Sequence, residues 1–272
     1  MRKWIALLLL FFAMPTAAQT LDAAIQELTK DVAGQIVTPA TTAELQKLFK
    51  DATTTQVPRV FVDKLPDDFA QNGTGELYMN VITALILRAN EQAIKERMLL
   101  IALKNKYEKG EKWSEIEESF FHSLVEKYDV IINKTVQTQL DQLLLKIEEI
   151  VPGLAVAQSV YATNWGQKNM EHPYGQMGWL DEKTYGELPY DSLIAATDAY
   201  VKEMNSAESY WMWRVYRQSA VHRGLRDRLA YTLAASLRAY RPEDPYYHTT
   251  LQKIIINNRP LAQLYQATFL EK

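Results

Sequence analysis

Hydrophobic side chains recur at helical spacing along most of the chain. The longest such stretch runs from Glu76 to Lys106. In the first half of this stretch, apolar side chains are found on nearly all sides of the helix. In the second half they are confined to one stripe, which contains Ile94, Met98 and Ile101. This spacing is typical of an α-helix that buries one face. Ten shorter helices are predicted at Leu21–Lys30, Thr41–Phe49, Ser114–Tyr128, Thr135–Ile150, Pro152–Trp165, Asp191–Met204, Glu208–Ser219, Leu225–Tyr240, Pro245–Asn257 and Leu261–Thr268.

Helix starts and interruptions are marked by local signals. Thr41 and Ser114 each precede a Glu by three residues, which is the pattern of a capping box. Proline-containing residues 53–71 predict an extended connector. Residues 169–190 form a loop rich in Gly and Pro, in which Tyr174–Leu180 and Tyr185–Leu188 could pair as a small β-hairpin. The predicted fold is therefore mainly α.

The N-terminus has the layout of a secretory signal peptide. Arg2 and Lys3 precede an apolar run from Trp4 to Met14, and the small residues Ala17 and Ala18 follow. We expect residues 1–18 to be removed and the rest of the chain to be exported without a stable membrane span. An uncleaved N-terminal anchor is the alternative. Removal of Arg2 and Lys3 changes the formal net charge from -3 to -5.

Composition excludes several classes of function. The chain of 272 residues has 30 basic and 33 acidic side chains, a balance that argues against a general nucleic-acid binder. It has no cysteine, so disulfides and cysteine-ligated zinc are excluded. Phosphate-binding glycine loops and zinc-binding histidine spacings are not found. The sequence therefore predicts neither a cofactor nor a metal site.

One segment carries a recognisable motif. It contains Ala157-Gln158, then Trp165-Gly166, and after a short loop Tyr174-Gly175. The segment resembles the glucosaminidase (lysozyme-like) family of cell-wall hydrolases, whose members carry the form A-Q-x-x-x-E-S-x-W-G followed by N-x-F-G. Two further stretches, Val57 to Phe69 and Tyr246 to Asn258, resemble the Bax-like subfamily of Gram-negative bacteria.

The resemblance implies a domain organisation and a site. A helical N-terminal region, residues 19–133, would precede a lysozyme-like domain, residues 134–272. In the family, the Glu of the motif is the general acid that protonates the leaving glycosidic oxygen. Ala162 occupies that position here and cannot donate a proton. The implied function is that of a periplasmic protein that binds peptidoglycan glycan strands and is catalytically impaired.

The remaining candidate site residues surround Ala162 in sequence or follow from the resemblance. Glu171, in the loop after the motif, is the main candidate for a substitute acid. It is the basis of the alternative hypothesis that the protein is an active N-acetylglucosaminidase. The other interpretation of Glu171 is that it is a solvent-exposed charge of the loop without a catalytic role. Aromatic rings can stack on the apolar faces of sugars, although Trp165 is also expected to fix the helix from within the core. The predicted substrate-binding residues are Gln158, Tyr161, Trp165, Tyr174, Trp179 and Tyr246.

A second stretch, rich in aromatic and basic residues, supports a third hypothesis about the function. Residues Tyr210 to Trp213 carry three aromatic rings, and five arginines follow up to Arg228. The arginines read either as a solvated helix pair or as a surface that contacts an acidic partner. In this third reading, Tyr210–Arg228 binds a protein partner and the cleft is vestigial.

Overall fold

The computed structural model describes residues 21–28, 32–167, 190, 192–225, 228–237 and 244–271. The mainly α fold predicted from the sequence is confirmed for these residues. The predicted signal peptide and the predicted hairpin both lie outside the described residues.

The first half of the chain is organised around one long helix. This helix, α4, spans Gly75–Glu108, and the Thr74 hydroxyl caps it by accepting from the backbone N–H of Leu77. The other helices of this half are α1 (Leu21–Leu28), α2 (Thr42–Leu48), α3 (Phe69–Asn72), α5 (Glu115–Lys127) and α6 (Val136–Lys146). The predictions for α1, α2, α4 and α5 are confirmed to within two or three residues, whereas α6 ends four residues before the predicted Ile150.

The second half contains shorter helices. They are α7 (Pro152–Thr163), α8 (Leu193–Ser206), a 3₁₀ turn (Glu208–Tyr210) followed by α9 (Trp211–His222), α10 (Leu229–Ala234), α11 (Tyr247–Asn257), α12 (Arg259–Gln263) and a second 3₁₀ turn (Leu264–Gln266). Helix α8 is capped by Ser192, one residue after the predicted Asp191. The helix predicted up to Thr268 is wrong at its end, because Thr268 lies in a strand.

In the described part of the chain, four short strands form two parallel pairs. Strand β1 (Gln35–Val37) pairs with β3 (Val60–Val62), and β2 (Gln56–Val57) pairs with β4 (Thr268–Phe269). The predicted connector at residues 53–71 is therefore extended, but it also supplies β2, β3 and the short helix α3. Phe269 of β4 packs edge-on against Phe61 of β3, with 5.9 Å between the ring centroids. The C-terminal strand therefore packs against an element from the first half of the chain.

The buried side chains form two clusters that share α4. The first contains the early part of α4 together with β1–β3, α7, α8 and the C-terminal helices. The second contains the later part of α4 together with α1, α5 and α6. Residues on both sides of the predicted boundary at 133/134 thus contribute to each cluster, and the division into domains at that point stays a prediction.

Candidate functional site

Helix α7, which carries the motif, is buried along almost its whole length. Pro152 stands in its first turn, where its missing N–H is not needed. Every side chain from Pro152 to Val160 is buried. A Cβ at Gly153 would lie 2.1 Å from the carbonyl oxygen of Leu261, so glycine allows α12 to pack directly on α7. The all-round apolar sequence of α7 therefore reflects a central position in the first core.

The end of α7 has an unusual backbone. Asn164, Trp165 and Gly166 follow one another with φ values of 47°, 63° and 76°. A left-handed conformation is uncommon for any residue other than glycine, and for a bulky side chain it marks strain. Such strain persists only where the surrounding structure fixes it, and it is concentrated at functional sites.

Close packing fixes the two motif residues Trp165 and Gly166. The indole of Trp165 lies over Gly75, where an added Cβ would come within 3.3 Å of the ring. A Cβ at Gly166 would lie 2.7 Å from the ring of Tyr78 and 2.8 Å from that of Phe69. Glycine is therefore required at position 166 both for its backbone conformation and for this approach.

A buried hydroxyl cluster ties α7 to α4. The Tyr78 hydroxyl lies 2.5 Å from that of Ser159 and 3.0 Å from that of Thr163. Thr163 also accepts from the backbone N–H of Gly166 at 3.1 Å. Burial raises the pKa of Tyr78, so its hydroxyl stays protonated at neutral pH. Thr163 is thus one of the groups that hold the turn after α7.

Gln158, predicted to bind substrate, is held inside the protein. Its side chain is 1% exposed. Its amide oxygen accepts from the Tyr200 hydroxyl at 2.7 Å, and its amide nitrogen donates to the Tyr247 hydroxyl at 3.1 Å. Both polar ends of the amide are therefore used within the fold, and direct contact with a substrate would require the core to open.

Tyr161 and Tyr246 meet a carboxylate that the sequence did not single out. The Tyr161 hydroxyl donates to Oδ2 of Asp244 at 2.5 Å, and the backbone N–H of Tyr246 donates to Oδ1 of Asp244 at 2.9 Å. Tyr161 is half-buried, and its ring meets that of Tyr247 edge-on at 4.8 Å. Tyr246 is 72% exposed. Asp244 is 82 residues away from Ala162 in the sequence, so no local pattern could have placed it here.

Ala162, the predicted acid position, lies in the last turn of α7 and is half-buried. It is next to Tyr161 and three residues before Trp165. Glu171, Tyr174 and Trp179, predicted from the following loop, lie outside the described residues.

In the stretch Tyr210–Arg228, the arginines differ in burial: Arg223 and Arg228 are exposed, as both predictions require, but Arg214 and Arg217 are not. Arg214 and Arg217 are 0% and 2% exposed, so they belong neither to a solvated helix pair nor to a basic surface. The prediction that they are accessible is wrong. Tyr210 and Trp213 are buried as well, whereas the exposed residues of α9 are Trp211, Met212, Tyr216, Gln218 and His222.

The buried cations of this region bind the carbonyl groups at helix ends. Arg217 donates to the backbone oxygens of Leu145 and Lys146 at the end of α6, and to Oδ1 of Asn205. Arg214 donates to the oxygens of Met204 and Ala207 around the end of α8. Unsatisfied carbonyls and the negative end of the helix dipole both favour a cation there. Burial lowers the pKa of Arg217 to about 9, which leaves it charged at neutral pH.

Comparison of the chain with protein-family models, with curated proteins and with solved structures finds no match. Among the described residues, no helix combines the length and the hydrophobicity needed to span a bilayer. Within the same residues, no group of three or more His, Asp and Glu side chains gathers in a way that could hold a metal ion.

Proposed function

We propose that this chain is a periplasmic glucosaminidase-like protein that binds the glycan strands of peptidoglycan and has lost most or all of its hydrolytic activity. The observation that carries the proposal is the strained turn at Trp165, which directly follows the helix that bears Ala162. The packing around Gly75 and Gly166 maintains this turn although the residue at the acid position has no carboxyl group.

The exposed aromatic rings supply the binding chemistry. Tyr161 and Trp165 are half-buried, and Tyr246 is largely exposed, so each presents part of a ring to solvent. Aromatic faces stack on the apolar faces of sugar rings, and phenolic hydroxyls add hydrogen bonds. Gln158 supports this surface from inside, since it links Tyr247, which packs against Tyr161, to Tyr200.

The loss of activity follows from the side chain at position 162. A methyl group cannot protonate the glycosidic oxygen, and loss of general-acid catalysis costs about 10²- to 10⁴-fold in rate. Catalysis would then depend on a carboxyl group delivered from elsewhere.

A second candidate function is a working N-acetylglucosaminidase with a relocated acid. The hydrogen bond between Asp244 and Tyr161 favours it, because it brings a carboxylate next to the neighbour of Ala162. Both oxygens of Asp244 accept hydrogen bonds within the fold, so reaching a glycosidic oxygen would require one of these contacts to break. The impaired protein therefore remains our conclusion, and Glu171 and Asp244 are the carboxylates to test.

A muropeptide-release assay on purified sacculi separates the two functions. The account predicts little or no soluble product from the wild-type chain, and no further loss in Glu171→Gln or Asp244→Asn. If the wild-type chain releases muropeptides robustly and either substitution abolishes the release, the protein is an active hydrolase and the proposal of an impaired protein is wrong. Ala162→Glu restores the missing group, so a gain of release in this variant would indicate an otherwise intact groove.

A further inference from the structure

A cavity of about 470 Å³ lies between α4 and α8, at the junction of the two cores. Ala89 and Val201 line it from the first core, and Ala93 and Tyr128 from the second. Its volume is in the range of small-molecule sites, which occur preferentially where two packed units meet. None of the lining residues that the structure describes belongs to the candidate glycan-binding surface.

The floor and the rim of this cavity differ in chemistry. The floor is formed by small and aliphatic side chains of Leu28, Val32, Ala89, Ala93 and Val201. The described residues of the rim include three cations, Arg88, Lys127 and Lys202, and one carboxylate, Asp198. An apolar floor with a cationic rim fits a ligand that has an apolar body and an anionic head.

Among the described residues, the ion pairs around the cavity leave positive charge in excess. Arg88 binds Asp198 through Nη1 at 2.8 Å, and Lys127 binds the buried Glu96 at 2.6 Å. Lys202 makes no ion pair or hydrogen bond to the described part of the chain, and the same is true of Nε and Nη2 of Arg88. Among the described side chains around the cavity, with Glu96 included, there are three cations and two carboxylates, so within this set the charge of Lys202 has no counter-ion.

We propose that this cavity binds a monocarboxylate whose body is apolar, with the carboxylate held by Arg88 and Lys202 and the body resting on the alanine and valine floor. A single excess charge matches one carboxylate better than a phosphate, which carries up to two charges. The proposal is independent of glycan binding, since it uses none of the residues around Ala162.

Two kinds of ligand have an apolar body and a single carboxylate: a fatty acid, with its acyl chain, and a short apolar peptide, with its C-terminus. Titration calorimetry of the purified protein at low ionic strength with octanoate and with trialanine distinguishes them. The neutral controls are 1-octanol and trialanine amide. The account predicts saturable binding of at least one of the two carboxylates, weaker binding at high salt because the rim is solvent-accessible, and no comparable binding of its neutral control.

Two variants place the binding in the cavity. Ala199→Phe fills it from α8 and should abolish binding, whereas Ala235→Phe, at an exposed alanine that follows α10 and does not line the cavity, should leave binding unchanged. Lys202→Gln should weaken binding about two- to fivefold, as expected for one partly exposed charge, and Lys253→Gln, an exposed lysine on α11, should have no effect. The Lys202→Gln test stands even if Ala199→Phe fails to fold.

Three results would overturn the proposal. They are the absence of binding for both carboxylates, equal binding of the neutral controls, and binding that neither Ala199→Phe nor Lys202→Gln weakens. Binding of octanoate alone would identify an acyl ligand, and binding of trialanine alone would identify a peptide terminus.

Discussion

The hydroxyl of Tyr78 lies 2.5 Å from the hydroxyl of Ser159, and this buried contact joins the long helix α4 to the motif helix α7. Thr163, four residues after Ser159, extends the contact to the backbone of Gly166. The conformation of the turn that carries Trp165 thus depends on a tyrosine that is 87 residues earlier in the chain.

We predict that Tyr78→Phe lowers the free energy of unfolding by about 1 to 2 kcal/mol, because it removes one buried hydrogen-bonding group and leaves its partners with fewer contacts. Denaturant unfolding followed by circular dichroism measures the change. Tyr107→Phe is the matched control, since Tyr107 lies on the same helix and is 39% exposed. Equal stability of the two variants would show that the hydroxyl cluster contributes nothing.

Gly166 and Gly110 form a matched pair for testing the turn. Both have a left-handed backbone, with φ of 76° and 72°, but only Gly166 is packed against other atoms. Gly110→Ala should cost about 1 to 2 kcal/mol from the backbone alone. Gly166→Ala should cost roughly 1 to 3 kcal/mol more, because its Cβ would clash with Tyr78 and Phe69. Thermal and chemical unfolding of both variants gives the difference, and equal costs would contradict the close packing.

Gln158→Leu is predicted to act on stability. The substitution keeps the approximate shape of the side chain but removes the amide that links Tyr200 and Tyr247, so we expect a loss of about 1 to 3 kcal/mol. Gln46→Leu, at an exposed position in α2, is the control and should change stability by less than about 0.5 kcal/mol. A Gln158→Leu protein as stable as the control, but defective in glycan binding, would show instead that Gln158 contacts the substrate.

Arg217→Met tests the role of the buried cations. The variant leaves carbonyls at the end of α6 and Oδ1 of Asn205 without their donor, and we expect it to lose about 2 to 4 kcal/mol. Arg223→Met, at the exposed end of the same helix, should be nearly neutral. If the two variants unfold at the same denaturant concentration, Arg217 does not stabilise the helix ends.

Local signals predicted the helix starts well. Ser114 and Glu117 form the complete capping box expected from their spacing. At Thr41 the outcome is partial, because Glu44 reaches back to the backbone N–H of Ala40 and not to that of Thr41. Such signals succeed because the groups that interact are within a few residues of one another.

Features set by distant parts of the chain could not be predicted in this way. Thr268 and Phe269 have the composition of a helix end, yet they form a strand because Gln56 and Val57 offer a parallel partner. Arg214 and Arg217 belong to a charged stretch that looks solvated, and their burial depends on the carbonyl groups of α6 and α8. The pairing of Tyr161 with Asp244 likewise depends on the packing of α11 against α7.

Sedimentation of the purified protein with isolated sacculi tests the central claim of glycan binding most directly. The account predicts that the wild-type chain sediments with sacculi and that Tyr246→Ser reduces the bound fraction without changing the unfolding temperature, because this ring is 72% exposed. Tyr216→Ser, an exposed tyrosine on α9, should bind like the wild type. A wild-type protein that stays in the supernatant, or a Tyr246→Ser variant that binds as well as Tyr216→Ser, would contradict the claim.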